Sequence, residues 1–72
     1  MKRLNEVRLA LEFKKIATKF LENDTVQLLW WIELNALTHR VANMYFLDKV
    51  NKSFYDTYME GVAALRKKYG KN

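Results

Sequence analysis

The sequence predicts an all-α fold: an antiparallel hairpin of two long helices with a shorter third helix packed across it, assembled into a dimeric helical bundle. Three observations carry this expectation. Apolar residues recur at helical spacing through three stretches of a 72-residue chain. There is no proline and there are only two glycines, Gly61 and Gly70, so the turns fall to two polar clusters, Glu22-Asn23-Asp24-Thr25 and Asn51-Lys52-Ser53. The middle stretch is apolar on two opposite sides, and such a helix asks for cover on both.

The first helix is expected over about residues 5–22. Asn5 suits an N-cap, Glu6 suits the positive helix end, and Leu4 and Leu9 have the spacing of a hydrophobic staple. At about 100° per residue, Leu9, Phe13, Ile16, Ala17, Phe20 and Leu21 share one face. A weaker row of Leu4, Val7 and Leu11 lies nearly opposite.

The second helix is expected over about residues 25–50, opened by Asp24-Thr25-Val26-Gln27 as an aspartate form of the capping box. Its first face carries Val26, Trp30, Leu34, Leu37, Val41 and Met44, and matches the first helix in length. Its second face carries Leu28, Leu29, Ile32, Ala36, Phe46, Leu47 and Val50.

The third helix is expected over about residues 54–69, with Ser53 and Asp56 as a partial capping box. Phe54, Tyr58, Gly61, Val62, Leu65 and Tyr69 form its apolar face. Gly61 lies within that face, where a missing side chain lets a neighbouring helix come close. Arg66, Lys67 and Lys68 suit the negative helix end, and Gly70 suits the C′ position just beyond it.

Composition narrows the function classes. With 72 residues there is one domain and one modest core, and with no cysteine neither a disulfide nor a thiolate zinc site can support it. Half the residues are apolar, so pairing with another chain is the remaining way to gain burial. No cofactor is implied. The longest apolar run, Leu28 to Ile32, is far short of a membrane span, and the charged start lacks the apolar core of a secretory signal; a cytoplasmic protein is expected.

Site chemistry is sparse. His39 is the only histidine, and Glu33, Asp48, Asp56 and Glu60 are scattered, with no Glu-x-x-His or His-Glu-x-x-His pattern. Catalysis by histidine needs a nucleophile and an orienting group converging on it, and the spacing supplies neither. An enzyme is not expected.

Interaction features are better represented. Asn35, His39 and Asn43 form a polar ladder beside the second face of the middle helix, suited to setting register at an interface or to marking a solvated edge. Trp31 points about 100° away from Trp30, into a more polar sector, either half-covered by the third helix or open to a partner. With Phe46, Val50, Tyr55 and Met59, these residues make up the expected protein interface.

The net charge of +5 raises a second possibility. Arg8, Lys15 and Lys19 form a basic stripe broken by Glu12, and with Arg66, Lys67 and Lys68 they could track phosphates. The stripe lacks interleaved aromatics, so base stacking is poorly supported. The leading expectation is a non-enzymatic interaction protein: a regulator, inhibitor or adaptor of the kind a phage or other mobile element carries, homodimeric and directed at another protein. A basic dimeric nucleic-acid binder is the alternative.

Overall fold

The computed structural model describes residues 1–23 and 25–70. Among them are three helices and no strand: α1 (Lys2–Glu22), α2 (Leu28–Phe46) and α3 (Lys52–Tyr69). The third helix is not the short one expected, since α3 has 18 residues against 19 in α2 and 21 in α1.

Cross-helix contacts give the topology. Lys19 meets Glu33 and Glu12 meets Arg40, so α1 and α2 run antiparallel. Tyr45 stacks on Tyr55, Thr38 meets Tyr58 and Asn35 meets Arg66, so α3 returns antiparallel to α2. The result is an up-down-up bundle.

One buried face from each helix fills the middle. Leu9, Ile16 and Phe20 of α1 close on Trp30, Leu34, Leu37 and Val41 of α2 and on Tyr58, Val62 and Leu65 of α3. The first face of the middle helix is therefore core, as its periodicity implied. Leu21, assigned by periodicity to the buried face of α1, lies at its edge and is 60% exposed.

Phe20 is the aromatic centre of one end, edge-on to Trp30 and Trp31 with ring centroids 5.9 and 4.7 Å away. Tyr69 of α3 closes the same cluster at 5.7 Å. Edge-to-face geometry sets the positive ring edge against a negative ring face, adding attraction beyond area burial.

Helix ends depart most from expectation. Asn5 is not an N-cap, because the helix begins a turn earlier with Met1 in that position. Asn5 Nδ2 instead donates to the Lys49 carbonyl at 3.0 Å, Glu6 accepts from the Asn51 backbone N–H at 2.7 Å, and Lys2 pairs with Asp48 at 2.9 Å. The first turns of α1 thus hold the α2–α3 connection, and the carboxylate of Glu6 satisfies a donor at the positive end of α3.

The capping box proposed for α2 does not form on its Gln27 side. Gln27 is itself the N-cap, in extended conformation and without a side-chain cap bond. Asp24 lies outside the described residues. The helix also ends four residues before Val50, in a Schellman turn: the Lys49 N–H reaches the Met44 carbonyl at 2.7 Å and the Asp48 N–H reaches that of Tyr45 at 3.0 Å. Asp48 occupies the left-handed position at φ 59°, which aspartate tolerates better than most side chains. Reversing there turns Val50 inward, so it is core at 1% exposure and not part of the second face of α2.

In α3, Asn51 and not Ser53 is the N-cap, and Asp56 pairs with Lys52 at 2.8 Å instead of closing a box. That hydrogen bond also holds the Lys52 ammonium above the ordinary lysine range. Gly70 ends α3 with extended, not left-handed, backbone. Its need for glycine is steric: an added Cβ would stand 2.5 Å from the Arg66 carbonyl oxygen.

Candidate interaction surface

The bundle leaves one side of α2 open. Among the residues of the second face, Leu28 is 74% exposed, Leu29 56%, Ile32 54%, Phe46 86% and Leu47 65%. Ala36, His39 and Asn43 are exposed between them. At 100° per residue, Ile32, Ala36 and Asn43 form the crest, diametrically opposite Leu34. Burying Leu34 in the core turns Ile32 and Asn43 to solvent, while Ala36 beside them also borders the α1–α2 groove.

The face is uncharged. The formal charges within α2 are Glu33 and Arg40, and both turn toward α1. Lys19 Nζ donates to Glu33 Oε1 at 2.9 Å, and Arg40 donates to both Glu12 oxygens at 2.7 and 3.2 Å. These pairs were not foreseen, yet a signal exists. Val26 lies midway between Lys19 and Glu33 and midway between Glu12 and Arg40, at separations of seven and fourteen residues. In an antiparallel hairpin turning at Val26, opposite charges so placed come level, and they meet because both helices turn these flanks toward each other.

The expected interface residues divide. His39, Asn43 and Phe46 lie on the open face, and Asn35 borders it, its Oδ1 accepting from Arg66 at 3.2 Å. Trp31 is half-buried edge-on against Phe20, so its cover comes from α1 and not from the third helix that the sequence suggested. Tyr55 is half-buried and stacked on Tyr45 across the α2–α3 seam with centroids 4.5 Å apart, and Met59 is partly buried against the core.

The basic residues do not make one track. Lys19 is engaged by Glu33 in the α1–α2 groove, which it lines with Lys15, while Arg8 is exposed farther up α1. Arg66 lies on the opposite flank of α2 beside Asn35, and Lys67 and Lys68 are exposed on α3, with the Lys68 ammonium 5.4 Å from the centre of the Tyr69 ring. Phosphates following one strand would reach only part of this set.

Other concavities are shallow. An open groove of about 420 Å³ between α1 and α2 has Ile16, Ala36 and Leu37 as its floor and the two ion pairs as its rim. A second, of about 250 Å³, lies between α1 and α3 beneath Phe13, Phe54 and Gly61. Leu4, Val7 and Leu11 give α1 a smaller exposed apolar row, between 46% and 55% accessible. Among the described residues no three His, Cys, Asp or Glu side chains group as metal ligands, and no helix is long and apolar enough to cross a membrane.

No protein-family model, curated protein or solved structure matches the chain.

Proposed function

We propose that this protein is a non-enzymatic interaction module that regulates, inhibits or adapts another protein by occupying its surface through the outer face of α2. The supporting observation is the concentration of exposed apolar side chains on that face. Five large apolar side chains, each at least 54% exposed, lie along α2 and its C-cap residue Leu47 with no formal charge among them. Scattered exposed leucines are normal on a protein surface, whereas two apolar clusters on one helix face, Leu28–Leu29–Ile32 and Phe46–Leu47, joined by the neutral polar His39 and Asn43, are uncommon outside binding sites. Helix faces of this kind dock into apolar grooves through side chains on successive turns.

Affinity capture from the source cell, followed by mass spectrometry, tests this reading. Wild-type protein should retain a protein partner that Ile32→Glu loses, while the helical circular dichroism of the two is the same. Equal retention by both would overturn the assignment of the site. Retention of nucleic acid alone, abolished when Lys15 and Lys19 become glutamate, would favour the basic alternative.

A further inference from the structure

We propose that the outer face of α1 rests on an anionic lipid surface, with Leu4, Val7 and Leu11 entering the headgroup layer and basic side chains holding the anionic headgroups along both edges. The face lies on a different helix from the outer side of α2, so the inference does not depend on what α2 binds.

Burial of Leu9 and Phe20 fixes the orientation of the helix. At 100° per residue, Leu4, Val7 and Leu11 centre diametrically opposite them, and each is about half exposed. Arg3 and Lys14 flank that row on one side, and Arg8 and Lys15 flank it on the other, each roughly 45–75° from its centre. All four are exposed, and among the described residues none is ion-paired, whereas Lys2 and Lys19 are tied to Asp48 and Glu33. Lys15 also lines the α1–α2 groove.

The acids of this stretch are engaged elsewhere. Glu6 accepts from the Asn51 backbone N–H, and Glu12 accepts from Arg40. Glu22 stands eleven residues beyond Leu11, about 16 Å along the helix. Over residues 3–15 the face therefore has an aliphatic centre, a basic edge on each side and no carboxylate.

That combination selects the occupant. Nucleic acid offers phosphates to the cations but nothing to an aliphatic row, and the face has no aromatic on which a base could stack. A protein groove would need an apolar floor between two acidic walls. An anionic bilayer presents that arrangement at every point, with headgroups level with the edges and acyl chains beneath the centre. Arginine and lysine stems can lie along the row while their charged tips stay at headgroup level. An open hollow among Met1, Arg3, Leu4 and Val7 adds apolar surface on the same side. The contact is short, about 18 Å from Arg3 to Lys15, and its apolar area is too small to hold alone. Binding should therefore be reversible and require the anionic lipid.

Flotation of the wild-type chain with vesicles of phosphatidylcholine and about 30% phosphatidylserine should carry protein upward, and flotation with phosphatidylcholine alone should not. Replacing Arg8 and Lys15 by glutamine should weaken binding about fivefold per charge removed. Val7→Ser with Leu11→Ser keeps every charge and should weaken it at least about tenfold, whereas Ile32→Ser on α2 should leave it unchanged. Because the chain has no cysteine, a nitroxide on Val7→Cys reports depth. Vesicles should raise its accessibility to oxygen and lower that to a nickel chelate, with no change at Asn43→Cys on α2. Matching helical circular dichroism would show that each variant folds. No binding to the phosphatidylserine vesicles at low salt would overturn the inference. So would equal binding by the serine double variant, which would reduce the attraction to charge alone. Capture of an acidic protein through Val7 and Leu11 by a chain that ignores the vesicles would give the face to a protein and overturn the lipid assignment.

Discussion

Arg40 holds Glu12 in two hydrogen bonds of 2.7 and 3.2 Å across the α1–α2 groove. Fork-on-carboxylate geometry fixes the relative height of the two helices as well as their separation. Both partners are well exposed, at 57% and 42% of their side-chain surface, so water screens the attraction. Either Arg40→Ala or Glu12→Ala should lower unfolding stability by no more than about 1 kcal/mol, with a double-mutant coupling of about 0.5 kcal/mol that shrinks in high salt. Urea titration of the four proteins checks this.

Gly61 lies under the ring of Phe13, where an added Cβ would come within 3.1 Å of Cζ. Alanine gains about 1 kcal/mol of helix propensity and must push the ring by a few tenths of an ångström. The open groove beside Phe13 gives the ring room, so Gly61→Ala should be neutral to within about 1 kcal/mol. Gly61→Val, with two more carbons at the same contact, should destabilise by about 1–3 kcal/mol. Thermal melts of both variants separate the two terms.

The Tyr58 hydroxyl lies inside the bundle, 2.9 Å from that of Thr38, whose own proton points to the Leu34 carbonyl. Burial pushes the Tyr58 hydroxyl above the ordinary tyrosine value, against the Thr38 hydrogen bond and the positive charge of Arg66, which both pull it down. A group whose proton is held more tightly in the folded than the unfolded state adds stability that is full below the unfolded value, about 10. That stability is lost as pH rises through the folded value. Wild-type stability should therefore fall above about pH 10, and Tyr58→Phe should remove that part of the slope while losing about 1 kcal/mol at neutral pH. Urea titrations of the two proteins between neutral and alkaline pH test it.

Trp31 is a packing residue, edge-on to Phe20 at 4.7 Å. Trp31→Ala should cost about 2–4 kcal/mol of stability, less than for a fully buried tryptophan because one side of the ring remains accessible. Ile32, next in sequence and on the open crest, should tolerate Ile32→Ser within about 0.5 kcal/mol. Guanidinium unfolding of the two variants would show the contrast between adjacent residues.

Periodicity made the helices and the buried face of α2 legible, because Trp30, Leu34, Leu37 and Val41 leave little choice of which side enters the core. It also made the open face legible, since Leu28, Leu29, Ile32 and Phe46 fall on the far side of the same cylinder. Helix ends were less readable. Asn5, Ser53 and Asp56 are all competent caps, but Asn5 is drawn to the Lys49 carbonyl and Asp56 to Lys52, choices made by tertiary neighbours. Val50 was misplaced because continuing α2 past Asp48 keeps it on the outer face, whereas the left-handed residue turns it inward. Trp31 could not be assigned without knowing that Phe20 lies across from it.

The assignment of the outer face of α2 is tested most directly by photo-crosslinking in the source cell. A photoreactive phenylalanine analogue at Ile32 is compared with one at Ala64, exposed on α3. Crosslinks to protein, whether a second copy or a target, should form from position 32 and be absent from position 64. Equal crosslinking from both positions, or crosslinking from position 64 alone, would contradict α2 as the interaction surface.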